Sequence, residues 1–163
     1  MTGTAALRER AWAAAAQIVD PEIPVLSIAD LGVLREVRVA GDTVEVVITP
    51  TYSGCPAMRM IELEIETALR AAGIDKLRIS TVLSPAWTTD WLSDSGRRKL
   101  AQYGIAPPQG AASRRALFAA DAVSCPRCGS GETERLAEFG STSCKALYRC
   151  RACAEPFDYF KCH

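Results

Sequence analysis

Residues 44–73 read VEVVITPTYSGCPAMRMIELEIETALRAAG, and this stretch decides the fold of the first part of the chain. Apolar residues alternate at Val44, Val46 and Ile48, which predicts a half-buried β-strand. After the loop at 49–56, apolar residues recur at the period of an α-helix, which Gly73 ends; they are Met58, Ile61, Ile65, Ala68 and Ala72. The stretch therefore predicts a helix that packs against a sheet.

The flanking sequence adds two more strands to this unit. Val37 and Val39 precede Gly41-Asp42, a two-residue turn that predicts a hairpin with the strand at 44–48. Beyond Gly73, apolar residues alternate again from Leu77 to Leu83 and predict a third strand.

Helical patterns lie at both ends of this unit. Residues 5–19 carry apolar side chains at helical spacing, and Asp20-Pro21 ends that helix because the residue before a proline is driven out of the α region. Residues 27–32 predict one capped helical turn, closed by Gly32. Thr88 to Tyr103 is predicted to be a helix that can break at Gly96.

The element order is therefore α-β-β-α-β-α, which predicts a small α+β sandwich with helices on one face of a three-stranded sheet. The segment from Gly104 to Ala122 contains Pro107-Pro108 and many small residues, which is typical of a linker. We predict a first domain at 1–104, a linker at 105–122 and a second domain at 123–163.

Composition excludes several classes of function. The chain has 163 residues, 19 basic and 19 acidic side chains, and one histidine, His163. A Ser-His-Asp triad, a two-histidine iron site and a His-Glu-x-x-His zinc site all need more imidazoles than this. The balanced charge argues against a large nucleic-acid footprint. No signal peptide or membrane span is apparent, so we expect a cytoplasmic protein with reduced thiols.

Four of the seven cysteines have the spacing of a metal site. Two Cys-x-x-Cys pairs, separated by 21 residues, present four sulfur atoms that can surround one ion; they are Cys125, Cys128, Cys150 and Cys153. We predict a structural zinc ribbon, since a closed four-sulfur site leaves no open coordination position; iron bound in the same way is the alternative.

Two further cysteines of the tail, Cys144 and Cys162, are predicted at the far end of a hairpin with strands at 142–149 and 155–162. They are candidates for a secondary metal or redox pair. Packing as small apolar side chains is the simpler interpretation.

Cys55 stands apart from the other cysteines, directly before Pro56, which suits the first turn of a helix. A thiol at a helix N-terminus is expected to have a lowered pKa and to ionise readily. The position of Cys55 is equally consistent with a functional role and with a role in packing. One thiol cannot hold a cluster alone, so a dimer, a partner or nearby carboxylates would complete such a site. Asp20, Glu22 and Asp30 are the candidate carboxylates, although turn formation and helix capping are the simpler explanation for them.

Several motifs together resemble a known family. Residues 20–23 (DPEI), 27–32 (SIADLG) and 49–56 (TPTYSGCP) resemble the SufT-like iron–sulfur assembly domain. With residues 84–91 (SPAWTTDW), 139–146 (FGSTSCKA) and 156–162 (PFDYFKC), nearly the whole chain resembles the PaaD/PaaJ-type accessory subunits of bacterial phenylacetyl-CoA epoxidase systems.

This resemblance implies a maturation factor rather than an enzyme, with no catalytic residues. The implied function is assistance with iron or iron–sulfur cluster insertion into the oxygenase or its iron–sulfur flavin reductase in phenylacetate degradation. Cys55 would bind the iron or cluster transiently, and Asp20, Glu22 and Thr51 belong to the same motif set. The implied partners are those two proteins, and a homodimer is also possible.

Two other functions remain open at this stage. The chain could be a structural, non-catalytic subunit of the oxygenase complex. Its tail could instead be a nucleic-acid-binding zinc ribbon, although the near-zero charge counts against this.

Overall fold

The computed structural model describes residues 2–108 and 123–161. The hairpin predicted at Gly41-Asp42 forms two strands of its first sheet. The elements around it are α1 (Thr2–Ala16), β1 (Leu34–Ala40), β2 (Thr43–Ile48), α2 (Ala57–Ala71) and β3 (Leu77–Thr81). They follow the predicted α-β-β-α-β order, and α1 ends three residues before the predicted helix end.

The first sheet has the order β1-β2-β3. β1 and β2 are antiparallel, with Val46 opposite Val37, and Gly41 takes the left-handed φ of 64° that the two-residue turn requires. β2 and β3 are parallel, with Val46 opposite Ile79. Parallel neighbours need a crossover connection, and α2 supplies it.

The core of this unit lies between the helices and the sheet. α2 buries one stripe, and α1 contributes Ala11 and Ala15. Strand residues such as Val44, Val46 and Ile48 are fully buried beneath them. The buried stripe of α2 consists of Ala57, Ile61, Ile65 and Leu69. Helical and strand periodicities therefore meet in one apolar layer. Ile61 and Ile65 are buried as predicted, whereas the predicted Met58, Ala68 and Ala72 are only half-buried and lie beside the stripe.

The connection between α1 and β1 is held by short-range hydrogen bonds. Ser27 Oγ accepts the Asp30 N–H at 3.0 Å, as in the predicted capped turn, and Gly32 closes the turn at a φ of 75°. The Trp87 indole N–H donates to the Leu31 carbonyl at 2.7 Å, and Trp87 is only 4% exposed. The turn is thereby joined to the segment that follows β3.

The remaining elements form a second unit. They are a 3₁₀ turn (Thr89–Trp91), α3 (Asp94–Tyr103), β4 (Ile105–Ala106), β5 (Thr133–Ala137), β6 (Lys145–Cys150) and β7 (Pro156–Phe160). The sheet order is β4-β7-β6-β5, with β4 parallel to β7 and the other pairs antiparallel. Tyr148 packs on Phe157 and edge-on against Tyr159, with ring centroids 5.9 and 5.4 Å apart.

The prediction of a helix break at Gly96 is wrong. Gly96 lies inside the first turn of α3, and the break falls at Leu92 and Ser93. Ser93 is extended, and its hydroxyl accepts the Gly96 N–H at 2.9 Å, so it acts as the N-cap of a new helix. Gly104, with a φ of 87°, ends α3 where predicted.

The compact units divide at Trp87 and Thr88 rather than within 105–122. α3 and β4 belong to the unit that holds the four-stranded sheet, because Ile105 and Ala106 pair with Asp158 and Tyr159 of β7. The first part of the predicted linker is therefore a strand. Residues 109–122 of that linker lie outside the described residues.

No helix within the described ranges is both long enough and apolar enough to cross a bilayer.

Replacing Trp87 with Phe should lower the free energy of unfolding of the first unit by about 1–3 kcal/mol, since it leaves the Leu31 carbonyl without its indole donor. Urea denaturation of the full chain, followed by circular dichroism, measures this. Trp12→Phe is the matched control because Trp12 is 40% exposed. Equal effects of the two substitutions would contradict the structural importance of the indole hydrogen bond.

Candidate metal centre and the Cys55 loop

The four cysteines of the second unit converge on one point. The sulfur atoms of Cys125, Cys128, Cys150 and Cys153 all lie within 4.8 Å of one another. The Cys125–Cys153 and Cys128–Cys150 sulfur pairs are 3.8 and 3.6 Å apart. A tetrahedral ion with metal–sulfur bonds of about 2.3 Å requires sulfur atoms about 3.8 Å apart. The donor set therefore fits a tetrahedral metal ion, as its spacing predicts.

Two matching backbone turns hold these sulfur atoms. In the first, the Gly129 N–H donates to the Cys125 carbonyl at 2.9 Å, and Gly129 has a φ of 76°. In the second, the Cys150 N–H donates to the Glu155 carbonyl at 2.9 Å, and Ala154 has a φ of 62°. The residue after the second cysteine of each pair is thus left-handed in both turns.

Backbone amides also tune the thiols for metal binding. The N–H groups of Cys153 and Ala152 lower the pKa of Cys150 to about 7. At Cys128 the Ser130 N–H lowers the pKa, but the adjacent Cys150 sulfur and burial outweigh it and raise the pKa to about 12. The metal-free cluster therefore retains protons at neutral pH, and a bound cation replaces them.

Cys144 is buried directly before β6, where its carbonyl accepts the Lys161 N–H at 2.9 Å. Its sulfur lies 2.9 Å from the Thr142 hydroxyl oxygen. The strands around it are shorter than predicted, at 145–150 and 156–160. Cys162 and His163 lie outside the described residues, so the suggested pair of Cys144 and Cys162 stays a prediction.

Cys55 lies in the first unit, directly before Pro56, the N-cap residue of α2. Its N–H is 3.3 Å from the Tyr52 carbonyl, and its side chain is partly exposed. The thiol receives hydrogen bonds from the Ala57 N–H and the Tyr52 hydroxyl. The helix-terminal position predicted for this thiol is confirmed.

The lowered pKa expected for Cys55 is wrong. Burial raises the pKa of this thiol above its ordinary value, and the Glu22 and Asp20 carboxylates raise it further. The Ala57 N–H and the Tyr52 hydroxyl lower it, but by less. The helix terminus acts in the expected direction, and the apolar surroundings and acidic neighbours outweigh it.

Glu22 and Asp20 lie close enough to the thiol for their charges to raise its pKa, although both are more than 30 positions away in sequence. Asp20 is buried, and its Oδ1 accepts the N–H groups of Glu22 and Ile23, both at 2.8 Å. Asp30 instead caps the turn that begins at Ser27. Thr51 lies in the same loop as Cys55.

Cys55 and these carboxylates do not form a complete metal site. Among the residues that the structure describes, the four tail cysteines are the one group of three or more Cys, His, Asp or Glu whose ligand atoms lie within 4.8 Å of one another. A metal ion at Cys55 would need ligands from another molecule.

Two side chains near this site were not predicted to have a role in it. Tyr52 hydrogen-bonds the Cys55 thiol. Tyr52 and Trp87 both line an open cleft beside the Cys55 loop. Tyr52 precedes Cys55 by three residues in the TPTYSGCP motif, a proximity that could have suggested it. Nothing local in the sequence connects Trp87 with this loop.

Comparison with known proteins finds two families in the chain. The family described as "PaaD zinc beta ribbon domain" matches residues 109–161, and the one described as "Iron-sulfur cluster assembly protein" matches residues 8–80.

Individual relatives extend these matches. An Escherichia coli K12 protein, named as a putative 1,2-phenylacetyl-CoA epoxidase subunit, is 50% identical over 151 residues, which are 93% of this chain and 90% of the relative. The Bacillus subtilis "Fe-S protein maturation auxiliary factor YitW" is 33% identical over 90 residues, covering 54% of this chain and 87% of the relative. A crystal structure of a DUF59 domain of unknown function from Bacillus anthracis covers 61% of this chain and 95% of its own, at a TM-score of 0.56 and 20% identity, and shows a shared fold.

Removing the metal from the full chain should unfold the second unit and leave the first folded, because the second unit has a small core. The near-ultraviolet signal of the tyrosines packed at Tyr148 should be lost on chelation, while the far-ultraviolet signal of α1 and α2 persists. Metal analysis before chelation should find one ion per chain. An unchanged tyrosine signal in metal-free protein would contradict this assignment.

Alkylation of Cys55 by iodoacetamide should be slow at neutral pH and accelerate through the alkaline range, because its pKa is raised. Glu22→Gln removes one cause of that rise and should move the rate profile to lower pH. Peptide mass spectrometry of the metal-loaded chain measures the rate at this residue. Glu9→Gln, on the exposed surface of α1, is the control. Fast alkylation of the wild type at neutral pH would contradict the prediction.

Proposed function

The chain belongs to the PaaD family of phenylacetyl-CoA epoxidase subunits, and from this premise we propose that it is a maturation factor of that epoxidase system. It delivers iron or an iron–sulfur cluster to the oxygenase or to its iron–sulfur flavin reductase, in the cytoplasm. The chain itself carries out no step of epoxidation. The family assignment, with its iron–sulfur assembly domain, supports a role connected with iron–sulfur proteins in phenylacetate catabolism.

The observation that carries this proposal is an incomplete ligand set at Cys55. A thiol and the nearby carboxylates of Asp20 and Glu22 attract a cation, but they do not enclose one. A raised thiol pKa means that a proton competes with the metal at neutral pH, which weakens binding. Weak, incomplete binding suits a site that must release its cargo to a client.

The missing ligands come from the client or from a second copy of this chain. As the cargo binds, the Cys55 thiol loses its proton, and Tyr52 and the Ala57 N–H stabilise the sulfur charge. Glu22 and Asp20 stabilise the added positive charge. When client ligands replace Cys55, the thiol takes up a proton again, and this favours release.

The four-cysteine site has a different role. A closed set of four sulfur atoms leaves no position for exchange, so we assign it a resident zinc ion that folds the second unit. Zinc has no redox chemistry. A bound zinc ion would cross-link the two cysteine turns. The folded ribbon is then available to dock a client.

A structural role is the second candidate, because the E. coli relative is named as a subunit of the epoxidase. Reconstitution distinguishes the two. Oxygenase and reductase that already contain their metal should be fully active without this protein if it is a maturation factor. Activity that needs its continued presence would favour the structural role.

Cys55→Ser should reduce the iron and cluster content of co-expressed oxygenase or reductase to the level found without this protein. Iron analysis and the visible absorption of the purified client measure the loss. Met60→Ala, at an exposed position of α2 in the same unit as Cys55, should leave the client content unchanged. Normal client content with Cys55→Ser would refute the proposal.

A further inference from the structure

The outer edge of the first sheet is open to a further strand. β3 pairs with β2 on one side, and no other strand among residues 2–108 and 123–161 pairs with its other side. β3 contains neither a proline nor a bulge, so its backbone does not prevent further pairing. Its apolar residues Leu77 and Ile79 are only half-buried. This edge therefore combines backbone and apolar groups that another chain can cover.

The backbone hydrogen bonds of β3 show which of its residues face outward. The Lys76 carbonyl accepts an N–H of β2, and the Val82 N–H donates to a carbonyl of β2, both at 2.9 Å. Alternate residues of a strand bond the same neighbour, so the even-numbered residues of β3 face β2. The N–H and carbonyl groups of Leu77, Ile79 and Thr81 therefore point away from β2.

α2 and the outer edge of β3 form a groove with apolar and charged residues. Leu63 of α2, which is 58% exposed, lines the groove together with Leu77 and Ile79. The charged residues that α2 contributes are Arg59, Glu62, Glu66 and Arg70. A partner at this edge therefore contacts both β3 and one stripe of α2.

The sequence of β3 suits antiparallel pairing with a second copy of itself. A two-fold axis at Ile79 places Ile79 opposite Ile79 of the second copy, and Leu77 opposite Thr81 of that copy. All of these residues face outward, so each of the three pairs can exchange two backbone hydrogen bonds, about six in total. On the other face of the sheet, Arg78 lies opposite Ser80 of the second copy, and no like charges are directly opposed.

The charges of α2 are complementary to themselves about the same axis. The Thr81 hydroxyl donates to Glu62 Oε1 at 3.2 Å, so Glu62 is level with one end of β3. Eight helical residues span about 12 Å and four strand residues about 13 Å, so Arg70 is level with Leu77 at the other end. The axis exchanges the two ends and brings Glu62 next to Arg70 of the second copy. Glu66, nearer the axis, is neutralised by Arg70 of its own chain, which donates to it at 2.9 and 3.1 Å.

The cations at this edge are already paired inside the first unit. Charged side chains on an edge strand usually oppose association with another strand. Lys76, however, forms an ion pair with Asp42, and Arg78 forms one with Glu45 at 2.7 Å. Neither cation therefore brings an uncompensated charge to the edge.

We infer that the chain forms a two-fold dimer in which β3 pairs with β3 of a second copy, so that two three-stranded sheets become one. Because α2 is the crossover between β2 and β3, the two copies of α2 lie about 10 Å apart, the packing distance of two helices. Leu63 and Ile79 of both copies are then buried near the axis. A second copy matches the backbone register and the charge pattern together, whereas the backbone groups alone would accept any strand.

The two Cys55 loops lie at opposite ends of this dimer. Cys55 precedes Glu66 by 11 residues, or about 16 Å along α2, so the two thiols are more than about 25 Å apart. A copy paired at β3 therefore supplies no ligand to cargo at Cys55, and the missing ligands come from the client. This consequence rests on the proposed function, whereas the dimer itself does not.

Leu63→Asp tests the inference by introducing a carboxylate near the axis. Sedimentation equilibrium of the full metal-loaded chain should show twice the mass of one chain, and Leu63→Asp should raise the dissociation constant at least about tenfold. Met60→Asp is the matched control, because Met60 is 48% exposed on α2 and does not line the groove; it should dimerise like the wild type. A monomeric wild type, or equal weakening by the two variants, overturns the inference.

Exchange of the two α2 charges tests the position of the axis. Glu62→Arg and Arg70→Glu should each raise the dissociation constant of the dimer about threefold or more, because each places like charges next to each other across the axis. The double variant restores opposite charges and should dimerise more tightly than either single variant. Losses that simply add in the double variant overturn this pairing.

A photo-reactive phenylalanine analogue at position 63 identifies the contact directly. In a mixture of isotope-labelled and unlabelled chains, mass spectrometry should find crosslinks from this position to α2 or β3 of the differently labelled chain. The analogue at position 60 should give no such crosslink. Crosslinks between chains that reach only residues outside α2 and β3 overturn the inference.

Cys55→Ser separates this inference from the proposed function. Cys55→Ser should dimerise with wild-type affinity and fail to load the client. A monomeric wild type that loads its client would overturn the dimer and leave the proposed function in place. A dimeric Cys55→Ser variant that loads the client normally would leave the dimer in place and refute the role of the thiol.

Discussion

Four sulfur atoms within 4.8 Å of one another are the constraint on which the second unit depends. Ionised thiols at such distances repel one another, so the arrangement requires either retained protons or a cation at its centre. Cys125 and Cys150 are also members of the buried cluster that contains Tyr148 and Tyr159. The metal and the aromatic core therefore form one folding unit, because each holds the strands that the other needs.

The Cys55 loop differs from the four-cysteine site in the number of sulfur atoms that it brings together. Its sulfur is single and partly exposed, and burial together with the Glu22 and Asp20 carboxylates favours its protonated form. The four tail cysteines can complete a tetrahedral coordination shell, whereas Cys55 has too few neighbouring ligands within the described residues to do so. Under the proposed function, one chain combines a permanent metal ligand set with a transient one, and the difference lies in how many ligands the fold brings together.

Local patterns in the sequence predicted the parts of the structure that are determined locally. The hairpin at Gly41, the helix after Pro56 and the two cysteine pairs each depend on residues a few positions apart. The pairing of Ile105 with Asp158 was not predicted, because it joins positions 53 residues apart. The same reason applies to the raised pKa of Cys55, which depends on burial and on Glu22 from a distant turn. The helix begins after Ser93 instead of breaking at Gly96, because the Ser93 hydroxyl accepts the Gly96 N–H and caps the first turn.

At their left-handed position, the two turns of the four-cysteine site differ by one methyl group. Gly129 adopts its left-handed backbone at little cost, whereas Ala154, at the equivalent place in the second turn, adopts it at a cost of about 1–2 kcal/mol. The first turn is therefore free of backbone strain, whereas the strain in the second must be offset by the pairing of the adjacent strands and by metal binding. Loss of the metal would therefore relieve backbone strain in the C-terminal turn and none in the N-terminal turn.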